Sequence, residues 1–127
     1  MARRTEQRRA AVVALYQADV TGRPASELLG RDAAPFTREL VDGVRADQAE
    51  LDALIAEHSK GWALDRIAPV ERNILRVALH ELRSRPDVPV EVAIDEAVEA
   101  AKELCSVDAP GFVNGILGTV ARQEAAS

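Results

Sequence analysis

Four arginines crowd the first nine residues, Arg3, Arg4, Arg8 and Arg9, and Tyr16 follows on the same stretch. Guanidinium groups meet phosphates and an aromatic face accepts an unstacked base, so this combination is the chemistry of single-stranded nucleic-acid binding. A second, smaller group lies near the other end of the chain. Phe112 can stack, and Asn114, two positions later, can donate and accept on a base edge or help cap a helix start. Each ring can supply about 1–3 kcal/mol by stacking on one base. The same rings also suit half-buried core positions and the arginines suit a solvated terminus, so residue type alone leaves both readings open.

Charge distribution says more than net charge. The chain carries −5 overall, which taken alone argues against a polyanion ligand. The four arginines against Glu6 set the first nine side chains at +3, leaving −8 for the remainder. A short basic arm is attached to an acidic body.

Catalytic patterns are missing. No GxGxxG, GxxxxGK[ST], HExxH or GxSxG string occurs. His58 and His80 are the only histidines, and neither is spaced to pair with Cys105 as a nucleophile. A cysteine at an apolar helix position is a small core residue. Asp95 and Glu96 are adjacent, so on a helix they point about 100° apart and do not converge on one proton. Nothing has the spacing of a metal site, and no cofactor is expected. A single cysteine fits a reducing cytosol. No apolar h-region follows the arginines and no run of eighteen apolar residues occurs, so the expectation is a cytoplasmic protein that is neither secreted nor membrane-spanning.

The elements that must position these residues read as helices throughout. At 127 residues with 47% hydrophobic and 3% aromatic content, one domain over 1–127 is expected. Arg3 to Val20 carries Val12, Leu15 and Ala18 on one side and stops at Thr21-Gly22-Arg23-Pro24. Arg4 and Arg8 lie one turn apart on it, and Arg9 and Tyr16 share another stripe. A short helical turn is predicted over Ser26–Arg31, then one long helix from Phe36 to about His58, with Pro35 in its first turn. Gly43 costs that helix about 1 kcal/mol relative to alanine unless a neighbour packs closely there. Gly61 suits the left-handed residue after its end. A short piece over Trp62–Ile67 precedes Val70–Arg85, which has apolar stripes on two sides and should be central. Val90–Cys105 follows the Pro86-Asp87-Val88-Pro89 break. Asp108 caps a last helix with Val113, Ile116, Leu117 and Val120 inward. The reading is all-α, about seven helical pieces.

Two strings then carry a resemblance: DVPVEVAIDEAVEAAKE, Asp87 to Glu103, and FVNGIL, Phe112 to Leu117. Together they resemble the C-terminal half of the NusB family, and the likeness extends more weakly over Arg3 to Tyr16, with little between Gly22 and Gly61. The resemblance implies a double helical bundle without catalysis. It also implies a factor that pairs with NusE, a small-subunit ribosomal protein, to bind single-stranded boxA RNA in ribosomal RNA leaders. Such a pair supports antitermination complexes on RNA polymerase and ribosomal RNA maturation. On this resemblance Arg3, Arg4, Arg8, Arg9, Tyr16, Asp108, Phe112 and Asn114 fall at RNA-contacting positions, and His80 and Glu81 on the face that receives NusE. Two departures stand out: Gly111 occupies a place commonly basic in the family, and Thr5-Glu6-Gln7 interrupts the arginines. The alternatives are an adaptor of the same fold that binds no RNA and a homodimer that masks its RNA surface. The NusB-like domain of ribosomal RNA cytosine methyltransferases is a further resemblance, but 127 residues leave no room for a methyl-transfer domain.

Overall fold

Proline and glycine set the helix ends. In the computed structural model, which describes residues 3–126, the helices are α1 (Arg4–Thr21), α2 (Pro35–Ala46), α3 (Gln48–His58), α4 (Pro69–Ser84), α5 (Val90–Leu104) and α6 (Ala109–Ala126). The short pieces expected at Ser26–Arg31 and Trp62–Ile67 are 3-10 turns at Ala25–Leu28 and Leu64–Arg66. No strand occurs among the described residues. Pro35 and Pro69 open α2 and α4, where a missing N–H costs nothing. Gly22 closes α1 at φ +76°, its N–H donating to the Ala18 carbonyl, and Gly61 takes φ +90° after α3.

One expectation is corrected: the long helix from Phe36 to His58 is two. Asp47, at φ −111° and ψ 16°, is at once the last cap of α2 and the first of α3. A straight helix of that length would run about 35 Å. Instead α2 packs on α1 and α4, whereas α3 packs on α4 and α6, and a single rod would not reach both α1 and α6. The Arg45 side chain bonds Gln48 across the joint.

Helix α4 touches all five other helices. Every residue from Asn73 to Glu81 on it is buried, as its two apolar stripes lead one to expect. Helices α1 and α2 pack on each other, as do α5 and α6, with α3 against α6, and α4 contacts both groups, giving a double bundle with α4 shared. Leu15, Leu40, Leu51, Ile55, Leu75, Leu79, Val113 and Leu117 fill the core.

A polar cluster ties three helices together inside that core. Arg76 of α4, almost wholly buried, holds Asp52 of α3 in a two-pronged pair (2.7 and 2.9 Å) and Asp19 of α1 at 2.8 Å. Asp19 also accepts from Asn73 at 2.9 Å and Arg72 at 3.3 Å. Burial pushes the Asp19 carboxyl up, but the Asn73 hydrogen bond and the Arg76 charge outweigh it and hold the group below its usual value.

Gly43 has the close neighbour its position in a helix calls for. The buried His80 ring lies where a side chain would be, with Cε1 only 2.1 Å from an added Cβ. Alanine there gains about 1 kcal/mol of helix propensity but must displace a packed ring. Gly43→Ala is therefore expected to destabilise the protein by about 1–3 kcal/mol, checked by urea denaturation; stabilisation would show that the ring moves freely. Burial also pushes the His80 imidazole below 6.5, against the charges of Asp47, Glu81 and Glu39. A depressed folded pKa means the unfolded chain binds the proton more readily, so His80 costs stability as pH falls below about 6.5.

Candidate nucleic-acid interface

The arginines of α1 meet different fates because the helix turns them 100° apart per residue. Arg3 is exposed just before the helix. Arg4 lies over the Phe36 ring, 4.3 Å from its centroid, and pairs with Asp87 at 3.5 Å while staying half exposed. Arg9 pairs with Glu103 of α5 at 3.2 Å. Arg8 is buried: its Nε donates to both Glu81 carboxylate oxygens (3.0 and 2.9 Å) and its Nη2 to Oε1 at 2.8 Å, with Glu96 at 3.7 Å. Thr5 donates to the same Glu96 oxygen at 2.6 Å. Phe36 is thereby surrounded by Arg4, Arg8 and Arg85, and Arg85 also bonds Glu39 and Asp87.

These contacts correct three expectations about surface roles. The Arg8 guanidinium is committed to Glu81, so it does not present itself to a phosphate. Glu81 is 1% exposed and His80 lies under Gly43, so neither side chain faces a partner. Both reside on the central helix, which five neighbours cover. The exposed carboxylates belong to α5 instead: Asp95, Glu99 and Glu103, which with Thr5 and Arg9 line a groove between α1 and α5.

At the other end, Asp108 stands just before α6, its carbonyl accepting the Phe112 N–H at 3.3 Å. Phe112 is half-buried against the core. Asn114 is exposed, but two residues turn a helix by about 200°, so Phe112 and Asn114 lie on different faces. Phe112 instead adjoins Trp62. The two rings line a hollow with Arg66, Glu71, Ser106 and Asp108, and a groove on the far side with His58, Lys60, Thr119 and Arg122. Sequence reasoning attached no function to Trp62, Lys60 or Arg122; the recurrence of Phe112, Thr119 and Arg122 on one face of a helix was the available signal.

The arrangement is a track rather than a pocket. Arg4 sits by Asp87, past the end of α4, and Phe112 by Glu71 at its start, so they are separated by roughly the 24 Å length of that helix. Helices α1 and α5 run side by side in the same direction, with Thr5 and Arg8 at Glu96 and Arg9 at Glu103. Half-buried Tyr16 continues that stripe two turns beyond Arg9. Such spacing suits an extended polymer rather than a small molecule.

Cys105 lies off this track in chemical terms. Burial, aided by the Glu71 charge, pushes its thiol up to about 11, so it stays protonated at neutral pH. His58 is engaged by the Leu54 carbonyl and Gln123, both at 2.9 Å, which together with His80 under Gly43 leaves neither ring to activate it. No cluster of three potential metal ligands occurs among the described residues, and no helix there is long and apolar enough to cross a membrane.

Comparison with known proteins agrees with this architecture. The chain is 46% identical to the transcription antitermination protein NusB of Saccharopolyspora erythraea, covering 95% of this chain and 88% of that protein. It is 41% identical to the protein of the same name from Myxococcus xanthus, covering 94% of each. Among solved structures, T. maritima NusB superposes with a TM-score of 0.87 at 32% identity, over 96% of this chain and 92% of that one. A crystal structure of the antitermination factors NusB and NusE in complex with double-stranded RNA superposes at 0.80 with 28% identity, over 94% and 96%. These are binding proteins of transcription rather than enzymes. The NusB family pattern matches residues 5–122, and the chain belongs to the NusB family.

Proposed function

We propose that this chain is a cytoplasmic antitermination factor that holds single-stranded boxA RNA of ribosomal RNA leaders together with a NusE-type ribosomal protein, within a complex on RNA polymerase, and so supports ribosomal RNA transcription and maturation. The observation that carries the reading is the track itself: cations at the start of α1, then Tyr16, then Phe112 with Asp108. Its likeness to a NusB protein solved with NusE and RNA supports it. Arg3, Arg4 and Arg9 meet phosphates, Tyr16 and Phe112 stack bases, and Asp108 offers a polar contact to a base edge, while Asn114 is turned away from Phe112. Arg8 acts through position, fixing the arginine helix to α4 by its bond to Glu81. A basic ribosomal partner suits the carboxylates that α5 exposes.

Fluorescence anisotropy of labelled boxA RNA, with and without NusE and beside a scrambled RNA, tests this. Binding is expected to be selective and tighter with NusE. With about three phosphates neutralised by the chain alone, log K should fall against log salt with a slope near −2, since each single-strand contact contributes about 0.7. NusE should steepen it. A flat salt response would remove the arginine arm from the interface.

A second reading, an adaptor or self-masked homodimer that touches no RNA, draws on one observation. Arg4, Arg8 and Arg9 already have carboxylate partners within the chain. Absence of RNA binding in both conditions would favour it.

A further inference from the structure

The groove beyond Phe112 has features that the RNA track alone does not require. Trp62, the single tryptophan of the chain, is 57% exposed on the link after α3. A large ring left open to water beside a second ring marks a contact surface more often than chance. Phe112, Gly115, Thr119 and Arg122 recur at i, i+3, i+7 and i+10, so they form one face of α6 opposite Trp62. Space around Gly115 is open, with nothing within 4 Å of an added Cβ. The groove is about 480 Å³, inside the roughly 300–1,000 Å³ range of ligand sites.

Its charge is opposite to that of the chain as a whole. Lys60 and Arg122 line it against the one carboxylate of Glu57, and neither cation has an ion-pair partner among the described residues. Arg122 donates to the Thr119 hydroxyl, at 3.2 Å. The arginines of α1, by contrast, are largely paired. Two aromatic faces with two uncommitted cations fit bases and phosphates; an acidic peptide would use the cations and gain little from the rings.

We infer that the Trp62 groove is a second stacking subsite, taking one or two further nucleotides of single-stranded RNA that pass over Phe112, with Trp62 stacking a base and Lys60 and Arg122 meeting its phosphates. The inference rests on the RNA reading above. Because Trp62 is the sole tryptophan, its emission reports the site directly. The full chain, with NusE, is titrated with boxA RNA and with the same RNA lengthened by a few nucleotides at either end. One lengthened RNA should bind more tightly and quench Trp62. Trp62→Ala should weaken that RNA roughly 5- to 150-fold, and the gain in affinity from lengthening the RNA should vanish in this variant. Lys60→Ala with Arg122→Ala should make its salt slope shallower by about 1.4. Lengthened RNAs that bind no better than boxA, or that leave Trp62 emission unchanged, would overturn the subsite while the antitermination reading stands. Quenching by an acidic peptide but not by RNA would also overturn it. Failure of every RNA to bind would remove both.

Discussion

Replacing Glu81 by alanine is expected to lower the free energy of unfolding by about 3–5 kcal/mol, the cost of leaving a buried charge without its partner. The Arg8 guanidinium would remain enclosed against α4, with only Glu96, at 3.7 Å and more exposed, to answer it. In urea the unfolding midpoint should drop by on the order of 1–3 M, with the slope unchanged. Arg8→Met with Glu81→Leu should cost much less, because apolar groups of similar volume need no counter-charge. A loss below about 1 kcal/mol for Glu81→Ala would mean that Arg8 swings out to water. The result bears on function as well. An Arg8→Ala variant tests folding and RNA binding at once, so the arginine arm is better probed through Arg3, Arg4 and Arg9.

The second large effect lies in the polar cluster. Arg76→Ala should also cost about 3–5 kcal/mol at neutral pH, since it strips Asp52 of its two-pronged partner and leaves Asp19 to Asn73, Arg72 and Arg45. The pH dependence separates this from a simple packing loss. In the intact chain Asp19 has a folded pKa below its unfolded 3.8, so it contributes stability above that value which is lost as pH falls through the folded pKa. Without Arg76 the two carboxylates disfavour ionisation in the folded state, and protonation relieves them. The difference between the two proteins should therefore shrink as pH falls below about 5, read by denaturation at a series of pH values. A difference constant with pH would assign the loss to a cavity alone.

Helix content was legible because it depends on neighbours in the chain. The 3.6-residue spacing of apolar side chains and the Pro and Gly stops marked α1, α4 and α5 nearly to their ends and α6 at its start, and the left-handed Gly61 followed from its place after a helix. The helix break at Asp47 was not legible. Nothing in GVRADQAEL forbids a continuous helix, and the bend exists because α2 and α3 find different partners. The candidate site divides in the same way. Arg4, Arg9, Tyr16 and Phe112 have the right chemistry for the proposed role, but the separation of Phe112 from Asn114 and the approach of Trp62 to Phe112 depend on how α6 is rotated against α3.

By itself, the sequence determined the class of the fold and the central place of α4. Only the tertiary structure decided which charged groups keep their charge for a ligand. Arg8 reads as a surface group from residue type, and Glu81 and His80 from the resemblance alone, yet packing places all three beneath neighbouring helices. Lys60 and Arg122, unremarked in the sequence, emerge without an ion-pair partner among the described residues, beside an open tryptophan. The physical reason is that a charge is spent or spared by what lies within about 4 Å of it, and those neighbours come from helices tens of residues away.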